Sequence, residues 1–289
     1  MRHFDYTRPA SLAEAVEALR ERGEGAHPLG GGTDLLVQVK EGGRRPSALI
    51  SLAGIPELTG IHLDASGELR VGARTTMQQV ADDTTVQQRF SALADGASVV
   101  GSYQTRNMAT IGGNVCNAAP SADTSPPLVV LGARAHIAGV NGEREQPVEE
   151  LWSGPGQTTL EAGEIVTAFI VPPAPAGVGS HYARHTPRKI MDIAVVGVGS
   201  YLEFDAEGVV QAARIALGAV APTVVRAPEA EQALVGHALT AELAAEAGRI
   251  AAAEARPISD VRGSASFRRY LVETMTRASV LCSAERARG

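Results

Sequence analysis

The residues best suited to chemistry sit in two glycine-rich segments. The first is Pro28-Leu29-Gly30-Gly31-Gly32-Thr33-Asp34-Leu35 and the second is Thr110-Ile111-Gly112-Gly113-Asn114. Consecutive glycines permit positive φ and let a ligand come within contact distance of the backbone. The first segment reads as the turn from a strand into a helix. Amides beyond Gly31 would then point outward at a helix N-terminus, where an anion is favoured. The second segment repeats the chemistry with a hydroxyl, two glycines and a side-chain amide. A pyrophosphate needs many donors, and two amide-rich turns on opposite sides could supply them without a lysine. The plainer reading of the first segment is a tight turn with Thr33 as helix N-cap, and the residues alone leave both readings open. Neither segment is followed by the Lys of a Walker A loop. Residues 30–35 and 197–202 both lack the last glycine of the dinucleotide fingerprint G-x-G-x-x-G.

Other reactive residue types give weaker signals. His181 and His185 are four apart, but no carboxylate stands at a fixed spacing from them and Pro187 follows closely, so no metal site is expected. Cys116 and Cys282 read as packed side chains, and Trp152 as a packing residue. Tyr103 has equal claims as loop packing and as a neighbour of a ligand. Arg106 reads as structural or as part of a subunit contact, and the Arg268-Arg269 doublet as a solvated face. Asp123 is suited to capping a following helix. There is no Ser-His-Asp set and no carboxylate pair, so no residue of the chain is expected to be catalytic in its own right.

Short α/β units must position these segments. A capping pattern at Ser11 and Glu14 opens a helix with Leu12, Ala15, Val16 and Leu19 on one face and Gly23 at its end. Strands are expected at 26–29 and 48–52, flanking the first glycine segment and its helical turn. Further on, the pattern predicts a strand near 68–72, a helix capped by Thr75, a second helix over 86–96, and a polar, irregular stretch from 101 to 125. A helix is expected from Asp123 to Leu131, with strands at 135–140 and 165–171. The Pro-rich run 172–177 is the best linker. Beyond it lie predicted strands at 192–204 and 209–217 and helices at 227–235, 240–255 and 266–284. The domain reading is therefore 1–55, 56–176 and 177–289.

Composition narrows the function classes. The chain has 289 residues, 44% apolar and 20% charged, with 26 Lys and Arg against 32 Asp and Glu. The net charge of −6 argues against a general nucleic-acid binder and against a polybasic membrane anchor. Two cysteines are too few for a four-cysteine cluster and suit a reducing compartment. No apolar run reaches membrane-spanning length and the N-terminus has no signal-peptide core, so a cytoplasmic location is expected.

The segments PLGGGTDLL at 28–36 and RNMATIGGNVCNAA at 106–119, followed by PSAD at 120–123, resemble the FAD-binding subunit of the molybdenum hydroxylases. That family includes the flavin domain of xanthine dehydrogenase and the medium subunit of aerobic CO dehydrogenase. The likeness covers nearly the whole chain, from Phe4-Asp5-Tyr6 to residues 191–197. It implies an α+β protein: a two-subdomain FAD-binding fold of the PCMH type, plus a C-terminal α+β domain like that of CO dehydrogenase flavoproteins.

The resemblance also implies a site. Pro28 to Leu35 would wrap the FAD pyrophosphate from one side and Thr110 to Asn114 would close it from the other. Asp123 would hydrogen-bond FAD, with Val100, Val166 and Arg184 along the cofactor, and Asp192 and Ile193 beside the isoalloxazine ring. A Gly112→Val, Gly113→Val double change would then release flavin and spare the fold. The implied function is electron transfer. A large molybdenum subunit would oxidise a heterocycle, purine or aldehyde, and a small subunit with two [2Fe–2S] clusters would pass electrons to FAD. NAD⁺, a quinone or another acceptor would receive them, in a dimer of heterotrimers. CO dehydrogenase medium subunits tend to carry His-Ser where this chain has Thr33-Asp34, and an aromatic residue where it has Ile193. Both departures argue against carbon monoxide as the substrate.

Overall fold

The computed structural model describes residues 3–289. The first unit is a small parallel sheet. Strands β1 (Asp5–Thr7) and β2 (Ala26–Leu29) lie on either side of β3 (Ala48–Ser51). Helix α1 (Leu12–Arg22) connects β1 to β2 and buries Ala15, Val16 and Leu19. The Ser11 hydroxyl accepts the Glu14 amide, while the Glu14 carboxylate accepts from Ala10, one residue earlier than a regular capping box. Gly23, at φ 67°, ends the helix. After the first glycine segment, α2 (Leu35–Glu41) runs to Gly42. Helix, strand, glycine turn, short helix and strand thus follow one another as expected.

The second unit is an antiparallel sheet in the order β4-β5-β10-β6-β7, made of β4 (Ile61–Leu63), β5 (Leu69–Gly72), β6 (Arg134–Gly139), β7 (Gly142–Pro147) and β10 (Ile165–Val171). Between β5 and β6 run α3 (Met77–Asp82), α4 (Thr84–Arg89), α5 (Ser91–Ser98), α6 (Tyr103–Arg106), α7 (Ile111–Cys116) and α8 (Ser125–Val130). The small pair β8 (Trp152–Gly154) and β9 (Gln157–Thr158) precedes β10. Several expectations are corrected here. Thr76, not Thr75, caps α3 in a full box with Gln79, because the Thr75 side chain bonds the backbone of Gly60. The helix expected over 86–96 is broken at Phe90, which leaves the helical region to bury its ring completely. The stretch 101–125 is not irregular throughout: Ser102 caps α6 and Thr110 caps α7. Trp152 packs as expected, its indole donating to the Val115 carbonyl at 2.9 Å.

The third unit is the antiparallel sheet β11 (Val178–His185), β12 (Val196–Phe204), β13 (Val210–Gly218) and β14 (Val225–Arg226), with α9 (Pro228–Leu234), α10 (Ala241–Glu254) and α11 (Ala265–Ala287). The strand expected from 192 starts only at Val196. The Asp192 carboxylate accepts the Arg188 and Ile193 amides and closes a loop there. His181 and His185 lie on a strand rather than a helix. His181 meets Ser279 and His185 stacks edge-on against Phe267. Arg268 is not solvated. It is buried and donates to the carbonyls of Val195 and Ala219 and to Asp260, whereas Arg269 is exposed.

Candidate cofactor site

A cavity of about 740 Å³ is lined by residues of all three units, a size within the usual range for organic cofactors. The first glycine segment forms one wall. Pro28 to Leu35 all line the cavity. Among the described residues, none of the amides from Gly30 to Leu35 has a hydrogen-bond partner within the chain; the Leu36 amide is the first to turn back, onto Gly32. Amides at the start of a helix have no partner within the helix, and there they are ready donors to an anion. Six in a row on one cavity wall constitute a donor surface. Thr33 does not cap α2: the cap position is Asp34, whose side chain makes no capping bond. Burial holds the Asp34 carboxyl above the usual carboxylate range.

This loop reaches the cavity only because it is glycine. A Cβ on Gly31 would lie 1.8 Å from the Met108 carbonyl oxygen, and one on Gly30 would lie 2.9 Å from the Thr110 hydroxyl. The two glycine segments are therefore packed on each other rather than facing across a ligand. Gly32 sits at φ 76°, a left-handed conformation that suits glycine.

The second segment is built differently from the first. Its amides are already bonded: Ile111 to the Thr75 carbonyl, Gly112 to the Ala73 carbonyl, Gly113 to the Thr110 hydroxyl and Asn114 to the Thr110 carbonyl. Thr110, Gly113 and Asn114 still line the cavity. The Asn114 carbonyl oxygen accepts from the Thr124 hydroxyl at 2.6 Å, which leaves its amide nitrogen as the donor that the segment offers. Ile111 and Gly112 do not line the cavity. Ile111 is in the core, and a Cβ on Gly112 would strike the Ala73 carbonyl at 2.7 Å. The expected Gly112→Val, Gly113→Val double change would thus disturb the seat of α7 as well as the cavity. Val166 is also absent from the wall, buried on β10 in the core of the second unit. Val100 does line the cavity.

The C-terminal unit supplies Arg184, Asp192 and Ile193 to the cavity wall, where Arg184 meets Asp123 of the second unit. Asp123 is 6% exposed. Its two oxygens accept from the Tyr182 phenol at 2.8 Å and from Arg184 Nη1 at 2.5 Å. Burial outweighs the stabilising Arg184 charge and pushes the carboxyl up to about 6. Asp123 therefore does not cap α8. Asp192 is held by Arg188, whose donation lowers its pKa. Ile193 is half exposed. Cys116 also lines the cavity, and burial pushes its thiol up to about 12. Tyr103 is mostly exposed and does not line it.

Sequence reasoning missed several contributors. Gln38 and Asn117, which bond one another at 3.1 Å, and Leu160 all line the cavity. Tyr182 was missed although it stands two residues before Arg184 on a strand, and so on the same face. The donor row, the glycine-only approach of the two loops and the buried acceptor at Asp123 together fit a long ligand with a diphosphate and donor groups of its own.

Comparison with known proteins agrees with this chemistry. Residues 2–174 match the FAD binding domain in molybdopterin dehydrogenase, and residues 181–282 match the CO dehydrogenase flavoprotein C-terminal domain. The chain is 36% identical over 273 residues to the xanthine dehydrogenase FAD-binding subunit of Escherichia coli, covering 94% of this chain and 93% of that one. It is 33% identical over 285 residues to the carbon monoxide dehydrogenase medium chain of Afipia carboxidovorans, covering 99% and 98%. A chain of reconstituted CO dehydrogenase from Oligotropha carboxidovorans superposes with a TM-score of 0.94 at 32% identity, covering 99% of each.

Proposed function

This chain belongs to the FAD-binding subunits of the molybdenum hydroxylases, and from that premise we infer that it relays electrons from a partner's [2Fe–2S] clusters to NAD⁺, a quinone or another acceptor. The observation that carries the reading is the row of six unpartnered amides from Gly30 to Leu35 in a cavity walled by all three units. Those amides would donate to the diphosphate of FAD, with the Asn114 amide on the neighbouring segment. Charge-assisted bonds of this kind are about twice as strong as neutral ones. When bound, FAD supplies a redox centre that accepts and returns electrons in steps the polypeptide cannot perform.

The chain's own residues position that group and limit access to it. Asp123, held by Tyr182 and Arg184, presents acceptor capacity to ligand N–H or O–H groups. Ile193 leaves the C-terminal end of the cavity more open than an aromatic residue would, which favours a nicotinamide acceptor. The Cys116 thiol, pushed up by burial, offers no thiolate nucleophile beside the cofactor. The proposed partners are a large molybdenum subunit and a small [2Fe–2S] subunit, assembled as a dimer of heterotrimers. The two free cysteines fit the proposed cytoplasmic setting.

The test is an anaerobic reconstitution. The FAD-loaded chain, mixed with its reduced iron–sulfur partner, should show flavin bleaching, and NAD⁺ or a quinone should restore the absorbance. A second reading, a free-standing FAD oxidoreductase, predicts substrate turnover by the isolated chain. Such turnover without partners would overturn the relay.

A further inference from the structure

The Tyr182 side chain is buried, with its phenol between the second and third units. Its oxygen donates to Asp123 Oδ1 at 2.8 Å. The space for it exists because β12 carries glycine there: a Cβ on Gly197 would lie 2.5 Å from the phenol oxygen. The Tyr182 amide donates to Asp95 on α5, and Arg286 of α11 pairs with the same Asp95 carboxylate. The phenol is thus held between Asp123 and the Gly197 gap, with the residue's backbone tied to α5, and its one polar side-chain atom is aimed at a cavity-wall carboxylate that is 6% exposed.

An ionised carboxylate has about four acceptor positions. Tyr182 and Arg184 occupy one on each oxygen, and the rest remain available on a residue that lines the cavity. We propose that Tyr182 is a positioning residue of the cofactor seat, acting through Asp123 to keep that carboxylate charged and turned to accept from the ligand. The proposal rests on the reading of the cavity as the FAD site. It makes the C-terminal domain responsible for cofactor retention through a residue that does not touch the cofactor.

A pH dependence follows. Burial pushes Asp123 up to about 6, while Arg184 and the Tyr182 donation oppose that rise. Among the described residues, the other charges near Asp123 are paired. Asp192 is held by Arg188 and Asp95 by Arg286, and burial keeps the Tyr182 phenol protonated. Helices α7 and α8 carry no charged side chain. Without the phenol, Asp123 takes up its proton at a higher pH and ceases to be an acceptor-only group.

The experiment is a fluorescence titration of the full apo chain with FAD from pH 5 to pH 8, for wild type, Tyr182→Phe, Asp123→Asn and the double variant. Wild-type affinity should fall as the pH drops through about 6. In Tyr182→Phe that fall should begin about one pH unit higher, a tenfold change in proton concentration. Asp123→Asn should be flat over this range. At pH 5, below both titrations, the Tyr182→Phe change should weaken binding about tenfold in the wild-type background, the full effect of a one-unit shift, and less than twofold beside Asp123→Asn, the non-additivity expected of coupled neighbours. An unshifted profile, or an equal loss in both backgrounds, overturns the proposal and leaves the FAD site standing. If wild type takes up no FAD, the reading of the cavity falls and the proposal with it. Should the Phe variant not fold, Gly197→Ala, whose Cβ displaces the phenol, must show the same upward shift.

Discussion

Replacing Gly31 by alanine should release the cofactor while leaving the chain folded. The new Cβ would stand 1.8 Å from the Met108 carbonyl oxygen and 2.7 Å from its carbon, where ordinary contact begins at 3.4 Å. The loops must therefore separate by about 1.6 Å, the difference between those two values. The 108–110 side is the stiffer one. The Met108 and Ala109 amides are bonded to Thr105, and the Ala109 carbonyl accepts from Met77. The glycine segment moves instead, taking its free amides with it. A bond of about 2.9 Å lengthened by that much is no longer a hydrogen bond. Losing two bonds to a charged group, at about 1.5–3 kcal/mol each, weakens FAD binding roughly a hundredfold or more. The overpacking itself costs about 1–3 kcal/mol, within the stability of an ordinary domain. The assay is FAD titration of the apo chain, with circular dichroism to confirm the fold. Gly43→Ala is the control, since its Cβ would meet only the Gln38 carbonyl, at 3.6 Å. Binding by a folded Gly31→Ala variant within threefold of wild type would refute the argument.

Three further outcomes are expected. Arg268→Met should lower stability by about 1–3 kcal/mol, because the Val195 and Ala219 carbonyls lose their donor, whereas Arg269→Ala should change it by under about 0.5 kcal/mol; urea midpoints compare the two. His181 has its pKa lowered by burial, so the unfolded chain binds the proton more readily. Its contribution is intact above the unfolded value and is lost as pH falls below it, so wild-type stability measured against His181→Asn should decline from pH 7 to pH 5; an unchanged difference would contradict this. The Cys116 thiol, raised from 9.0 to about 12, should alkylate roughly a thousandfold more slowly in the native chain than after unfolding, as peptide mass mapping would show.

How far the sequence carried the structure depended on the range of the interactions involved. The turn at 28–35 could be read because glycine, threonine and aspartate between an apolar strand and a helix are local signals. The family motifs added the expected cofactor. What the second segment does could not be read in the same way. Gly112 is small because the Ala73 backbone lies against it, and Thr110 uses its hydroxyl on the Gly113 amide. Both look like ligand chemistry until the fold brings residue 73 beside residue 112. Arg268 was misread for the same reason, since the carbonyls that hold it belong to Val195 and Ala219, far away in the chain. The breaks at Phe90 and Asp192 interrupt otherwise regular apolar patterns. One is a ring turning into the core and the other a carboxylate closing its own loop. The pairing of Asp123 with Tyr182 and Arg184 joins two units and has no local signature at all.

The most direct test of the central claim is to purify the chain, denature it, and identify and count the flavin released. The donor row at 30–35 and the family relationship predict FAD at about one molecule per chain. A chain that releases no flavin and takes up none when FAD is added would contradict the account.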